Sequence, residues 1–259
     1  MKQYKLKNGF CVRYQDLPGE RTPLVFLHGL GCASSFEYPA VMAEPALNGR
    51  RAILIDLLGA GYSDKPQDFG YSVEEQAANL VEMLSGLHLT ELVLFGHSLG
   101  GAVAITLATL MQDNIRCLIL TESNLDPSPV GATSRKIGSQ SENAFLSHGY
   151  ADLLSRAQKR NPLWGATLAS WLPEAAWRIS RSAVRGGTPS WRDQLYALPM
   201  PRAFIFGALS LPDEDEEVLR QHGIRVDVIP DAGHSMALEN PKSLAETIAS
   251  ILNDCRLGN

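Results

Sequence analysis

The sequence predicts an α/β fold with a largely parallel central sheet and helices on both of its faces. Short and almost continuously apolar runs, such as residues 24–27 and 92–95, are typical of strands that are buried on both sides. These runs alternate with longer segments of helical periodicity, as a parallel sheet with helical crossovers requires. A chain of 259 residues is long enough to form one domain of this class.

Turn and capping signals define the first elements. Asn8-Gly9 favours a tight turn between two antiparallel strands within residues 1–16, and buried strands are predicted at residues 24–27 and 51–56. Ser72 is a suitable N-cap for the helix that follows, since its side-chain oxygen can accept a backbone N–H. The acidic residues in the first turn of that helix are a second signal for its start. The apolar side chains of this helix fall on one face: Val73, Ala77, Leu80, Val81 and Leu84.

The most informative stretch is residues 92–111. Its first four residues predict a buried strand, and residues 102–111 predict a buried helix. Between them the sequence Gly96-His97-Ser98-Leu99-Gly100 fits G-x-S-x-G, a sharp turn that lifts a serine hydroxyl above the end of a sheet. The turn holds the serine in a strained conformation, and free N–H groups at the helix start favour an oxyanion there.

The second half of the chain contains a compositional interruption. A strand is predicted at residues 117–121, but from 124 to 191 the apolar runs disappear and four tryptophans occur among prolines. Short helices are expected there, for example near residues 150–160 and 174–182. Strands resume at 203–207 and 226–229, separated by an acidic helix near 213–221. A last helix at 241–252 places Leu244, Ile248 and Ile251 inward.

Composition excludes several classes of function. The net charge of −5 argues against general nucleic-acid binding, and no apolar segment is long enough to span a membrane. The four cysteines are widely scattered without ligand-like spacing, so we expect free thiols and no bound metal. No apolar run of signal-peptide length follows the basic N-terminus, and a cytoplasmic location is expected.

The residues that can carry chemistry follow the predicted strands. The carboxyl ends of parallel strands meet at one edge of a sheet, where loops form a binding crevice. Ser98 and His234 both belong to this edge, as do the residues that follow the other strands: His28, 56–63, 122–126 and 210–213. A serine hydroxyl is a weak nucleophile at neutral pH and needs a base and an orienting acid, and the order serine, acid, histidine is available here.

These motifs resemble the α/β-hydrolase fold family over essentially the full chain. The resemblance rests on His28-Gly29, the loop from Asp56 to Ser63, the Gly96–Gly101 turn and Gly233-His234. It implies a core domain of residues 1–124 and 192–259, with a helical cap inserted at 125–191. It further implies that Ser98 is the nucleophile, that His234 is the general base, and that the amides of Leu30 and Leu99 form the oxyanion hole.

The acid departs from the common family pattern. The family usually places an aspartate three residues beyond Gly207, but this chain has Ser210 there. A recognised variant of the family places the acid after the strand that follows the nucleophile helix, which here corresponds to Glu122. Asp213 and Asp126 remain the alternatives, and Asp213 also suits the start of a helix.

The expected activity is cofactor-independent hydrolysis of carboxylic esters or thioesters through an acyl-enzyme. The same motifs suit a carbon–carbon bond hydrolase, a lyase or a cofactor-free perhydrolase, and also a ligand receptor or binding scaffold with little turnover. Residues 125–195 contain nine basic and five acidic residues, a local charge of +4 on an acidic chain. Such a segment could steer an anionic small-molecule substrate, although a solvated helix surface has the same composition.

Overall fold

The computed structural model describes residues 1–257 and confirms the predicted α/β class. Eight strands form one sheet in the order β1-β2-β4-β3-β5-β6-β7-β8. Along the sheet, all neighbouring pairs in the order β4-β3-β5-β6-β7-β8 are parallel, whereas the β1–β2 and β2–β4 pairs are antiparallel. The strands are β1 (Lys2–Lys5), β2 (Cys11–Leu17), β3 (Arg21–Leu27), β4 (Arg50–Asp56), β5 (Leu92–His97), β6 (Ile115–Thr121), β7 (Arg202–Gly207) and β8 (Arg225–Ile229).

Twelve helices are described within residues 1–257. They are α1 (Ser34–Met42), α2 (Val73–Gly86), α3 (Leu99–Leu110), α4 (Thr133–Gly138), α5 (Glu142–Ala144), α6 (Tyr150–Arg160), α7 (Pro162–Leu168), α8 (Pro173–Arg185), α9 (Trp191–Ala197), α10 (Asp215–Gln221), α11 (Met236–Glu239) and α12 (Pro241–Asp254). None of the helices in this part of the chain is both long and apolar enough to cross a membrane.

The local signals read from the sequence are confirmed where they were strongest. Gly9 adopts a φ of +91° in the hairpin turn, a conformation that glycine tolerates without steric cost. Ser72 caps α2 through a reciprocal capping box with Glu75. The expected helix start at Asp213 is wrong by two residues, since α10 begins at Asp215 and the Asp213 carboxylate accepts a hydrogen bond from the Asp215 amide at 2.8 Å.

Alternate residues of the central strands pack on opposite faces of the sheet. In β3, Val25 and Leu27 belong to the apolar core that includes α2 and α3. Leu24 and Phe26 instead face the core that includes α1 and α12. Because both faces are covered, the strands carry apolar residues at every position, which explains the continuous runs in the sequence.

The compositional interruption forms five helices, α4 to α8, and a sixth, α9, begins at its last residue and precedes β7. α4 packs against α8, and α6 packs against α7. The expected helix at 150–160 is confirmed as α6, and α8 extends beyond the expected 174–182 at both ends. α9 leads back to the sheet and contacts α3, where its Trp191 side chain is fully buried.

Candidate active site

The turn between β5 and α3 has the conformation expected of a nucleophile elbow. Ser98 has φ 52° and ψ −124°, a strained backbone conformation for a residue that carries a side chain. Glycine is required on both sides because the backbones pass so closely. A Cβ at Gly96 would lie 2.6 Å from the Ala104 Cβ, and one at Gly100 would lie 2.2 Å from the His28 carbonyl oxygen.

The His234 imidazole lies directly beside the Ser98 hydroxyl. Its Nε2 is 3.0 Å from the Ser98 Oγ, within hydrogen-bond distance. The two residues are 136 positions apart in sequence and meet because both follow parallel strands at the same edge of the sheet. The ring of His97 packs behind that of His234, with 4.8 Å between the ring centroids. Burial and the nearby His234 lower the pKa of His97, so this neighbour stays neutral.

Glu122 lies on the opposite side of the imidazole. Its Oε2 is 3.8 Å from His234 Nδ1, and its Oε1 accepts a hydrogen bond of 2.8 Å from the Gly207 amide. Glu122 has a φ of 45°, which turns the chain sharply at the end of β6. Burial opposes ionisation of this carboxyl, but its contacts with His234, the Gly207 amide and Ser210 outweigh that effect and lower its pKa.

Ser210 therefore has a use that sequence reasoning missed. Ser210 occupies the position at which the family resemblance predicts an acid, and it contributes to lowering the pKa of the Glu122 carboxyl. The signal was available in the sequence only as the absence of a charge at that position.

The two alternative acids are engaged elsewhere. Asp213 accepts the Asp215 amide in front of α10. Asp126 accepts a hydrogen bond of 2.9 Å from the Arg192 Nε, and Arg192 also bonds Asp215. The structure thus brings Glu122 to His234 and gives both aspartates other partners.

The two amides expected in the oxyanion hole both border the same cavity as Ser98. Neither the Leu30 nor the Leu99 N–H has a hydrogen-bond acceptor among residues 1–257. Leu99 is the first residue of α3, where N–H groups are left free by the helix geometry.

His28 orients the other amide. Its Nε2 accepts the Leu57 N–H at 3.0 Å, so its Nδ1 carries the proton and donates to the Gly29 carbonyl at 2.9 Å. Because the Gly29–Leu30 peptide is planar and trans, holding this carbonyl on one side directs the Leu30 N–H to the other. His28 is buried, which lowers its pKa and keeps the ring neutral.

Asp56 takes no part in this arrangement. Its carboxylate accepts hydrogen bonds from the Ser35 amide and hydroxyl and from the Tyr62 amide. The loop from Asp56 to Ser63 is a turn held by its own hydrogen bonds, from the Tyr62 amide to the Asp56 carboxylate and from the Ser63 hydroxyl to the Asp56 carbonyl.

A cavity of about 670 Å³ opens above Ser98. Much of its lining comes from the segment 122–134 after β6, and Trp164 and Asn161 also line it. The lining contains carboxylates at Glu122, Asp126 and Asp215 but no lysine or arginine among the residues described. Two arginines of residues 125–191 are ion-paired, Arg178 with Glu142 and Arg185 with Glu74. Arg192, directly after this segment, is paired with Asp126 and Asp215. Any attraction of an anionic substrate must therefore act at long range.

Comparison with known proteins identifies the family to which this fold belongs. Residues 22–196 match the family model described as alpha/beta hydrolase fold. The chain belongs to the α/β-hydrolase fold family. Similar members include the sn-1-specific diacylglycerol lipase ABHD11 of Mus musculus, which is 28% identical over 92% of this chain and 84% of its own. Esterase Rv0045c of Mycobacterium tuberculosis is 25% identical over 91% of this chain and 84% of its own.

Solved structures of α/β hydrolases share the fold. A thermophilic esterase from Thermogutta terrifontis superposes with a TM-score of 0.79 at 23% identity, covering 98% of this chain and 99% of that one. The esterase and lipase relatives indicate that this family member is a hydrolase.

Proposed function

We propose that this protein is a serine hydrolase that cleaves carboxylic esters or thioesters through an acyl-enzyme. The proposal rests on one observation above all, the 3.0 Å contact between the Ser98 Oγ and His234 Nε2 on a strained elbow that opens into a cavity. Glu122 beside the other imidazole nitrogen supplies the third member of a serine–histidine–acid arrangement.

Each residue then has a defined role. Ser98 Oγ attacks the substrate carbonyl carbon while His234 Nε2 takes its proton, and the Leu30 and Leu99 amides bind the resulting oxyanion. When the tetrahedral intermediate collapses, the His234 proton passes to the departing alkoxide or thiolate. Water then attacks the acyl-Ser98 ester with His234 again as base, and the carboxylic acid leaves.

The electrostatics of Glu122 suit its role. A carboxylate that is ionised at neutral pH and lies 3.8 Å from Nδ1 favours the imidazole tautomer with Nε2 free to accept a proton. The same negative charge stabilises the imidazolium that forms in the transition state. The oxyanion amides add to this, since loss of one such donor lowers kcat by about 10²–10³ in comparable sites.

We also propose that residues 125–191 form a cap on a core of residues 1–124 and 192–259. The cap contributes Trp164 and much of the 122–134 segment to the cavity lining, so it shapes the space for the acyl group or the alcohol. Relatives that act as a diacylglycerol lipase and an esterase support ester substrates for this site.

The test is a hydrolysis panel on the wild-type chain and a Ser98→Ala variant. The panel spans short and long acyl esters, methyl esters and acyl thioesters, and a fluorophosphonate probe reports covalent labelling of the serine. We expect Ser98→Ala to lose labelling and essentially all turnover while keeping its fold. Ser147→Ala, which removes an exposed cap hydroxyl, is the matched control.

Residual turnover near the wild-type rate in Ser98→Ala would exclude the serine nucleophile. A β-diketone substrate and an ester assayed with hydrogen peroxide extend the panel to carbon–carbon cleavage and perhydrolysis. Tight binding of a panel member without any turnover would instead identify a receptor or scaffold.

A further inference from the structure

Two tryptophans of the cap donate hydrogen bonds to the backbone of the oxyanion loop, defined here as residues 28–33. The Trp164 Nε1 donates to the Leu30 carbonyl at 3.0 Å. The Trp171 Nε1 donates to the Cys32 carbonyl at 2.7 Å. These bonds join positions 134 and 139 residues apart, so they tie two separate parts of the chain together.

Together with His28, the two indoles bond the carbonyls on both sides of the Leu30 amide. The Gly29 carbonyl accepts from His28 and from the Cys32 amide, and the Leu30 carbonyl accepts from Trp164 and from the Cys32 thiol. The Cys32 carbonyl accepts from Trp171. Fixing a carbonyl also fixes the plane of its peptide unit. The Leu30 N–H belongs to the peptide unit of the Gly29 carbonyl, and the next peptide unit is held through the Leu30 carbonyl.

The indole of Trp164 lies directly against this backbone. Gly31 has a φ of +76°, and a Cβ at that position would lie 2.5 Å from the Trp164 Nε1. Only glycine combines this backbone conformation with so close an approach.

Trp171 acts on the same loop in a second way. It is 4% exposed, and its ring packs edge-on against the His28 ring with 5.7 Å between centroids. The histidine that orients the Leu30 amide is thus itself held by a cap residue.

We propose that Trp164 and Trp171 are positioning residues for the oxyanion hole, through which the cap sets the direction of the Leu30 amide. This inference rests on the proposed function, because it assumes that Leu30 binds an oxyanion. The negative charge on the substrate oxygen is largest in the transition state. A misdirected amide therefore lowers kcat more than it raises KM. Loss of either indole donor is expected to lower kcat by about 10- to 100-fold, less than deletion of an oxyanion donor itself.

The experiment removes the N–H donor while keeping an aromatic side chain. Trp164→Phe and Trp171→Phe are compared with Trp177→Phe, whose indole donates to the Gln140 carbonyl inside the cap at 3.0 Å. In a further variant of position 164, benzothienylalanine replaces the indole N–H by sulfur with little change in shape. The readouts are kcat, KM, thermal unfolding and the Ki of a boronic acid, whose adduct with Ser98 is a tetrahedral anion.

For both position-164 variants we expect kcat to fall and the boronate Ki to rise by the same factor, with KM within about threefold of wild type. Trp177→Phe should change neither quantity. Trp171→Phe should show the same matched fall in kcat and rise in Ki, and if it fails to fold, benzothienylalanine at position 171 replaces it in this test. An unchanged kcat, a fall in kcat without a matching rise in Ki, or an equal effect of Trp177→Phe would overturn the proposal.

The outcomes separate the two proposals. A wild-type chain that hydrolyses esters and is labelled at Ser98, with unaffected position-164 variants, refutes only the role of the tryptophans. A wild-type chain with neither property refutes the proposed function and this inference with it.

Discussion

Glu37 provides a quantitative test of how burial acts on a single carboxyl group. It lies on α1, is 5% exposed, and its Oε2 has no hydrogen-bond partner among residues 1–257. Burial raises the pKa of Glu37 to about 7, against weaker opposing effects of Cys32 and His234, while Asp56 adds to the rise. The folded chain therefore holds this proton more tightly than the unfolded chain, where the ordinary value is 4.5.

The sign of the effect on stability follows directly. The stability contributed by the protonated carboxyl is fully present below pH 4.5 and is lost as the pH rises through about 7. Replacement by glutamine keeps the shape but cannot ionise. Relative to Glu37→Gln, the wild-type free energy of unfolding should fall by about 3 kcal/mol between pH 4.5 and pH 8.

Urea unfolding of both variants at pH 4.5, 6 and 8 measures this difference, because the titration of groups that do not interact with Glu37 cancels between them. Glu217→Gln, which changes an exposed carboxylate on α10, is the matched control and should show no such trend. A difference between wild type and Glu37→Gln that stays constant across this range would refute the reasoning.

Two further predictions concern the site and the cap. Glu122→Gln should lower kcat by about 10³–10⁴ with little loss of fold, because the neutral amide favours the wrong imidazole tautomer. Asp213→Asn and Asp126→Asn should each lower kcat by about tenfold at most. Steady-state kinetics of the three variants measure these losses, and a larger loss in either aspartate variant than in Glu122→Gln would contradict the assignment of the acid. Arg156, Lys159 and Arg160 are exposed on α6, which ends beside the cavity residue Asn161. Reversing their charges should lower kcat/KM for anionic esters relative to neutral ones, and the difference should shrink above about 0.1 M salt. If the preference for anionic over neutral esters, measured as the ratio of their kcat/KM values, is the same in the wild type and the charge-reversed variant at every salt concentration, these side chains are only a solvated surface.

The fold could be predicted because its signals are local. Each central strand is a short apolar run, and the elbow glycines are needed by contacts with the nearest strand and helix. The helix α1 was missed since Ala33 offers no capping side chain and Pro39 lies inside the helix. A proline in mid-helix normally argues against one, and here packing of Tyr38 and Val41 in the core outweighs that preference.

The candidate site was predictable in its residue types and less so in its geometry. The places of Ser98 and His234 after strands, together with the family resemblance, single them out. Glu122 was favoured over Asp213 and Asp126 only through the resemblance to a variant of the family, since Ser210 carries no charge. The positive φ of Glu122, which turns the chain at the end of β6, leaves no trace in the sequence because glutamate does not favour it. The indole donors of Trp164 and Trp171 were equally hidden, since they find their acceptors more than 130 residues away.

The bonds from Trp164 and Trp171 also limit how this molecule can be re-engineered. A chimera that exchanges residues 125–191 for a segment without these two indoles would leave the Cys32 carbonyl without its side-chain donor and the Leu30 carbonyl with only the Cys32 thiol. Unpaired carbonyls beside a buried loop cost free energy and allow that loop to relax. The unit to exchange therefore consists of two separate segments, residues 28–33 and 125–191, and both should be taken from the same donor protein.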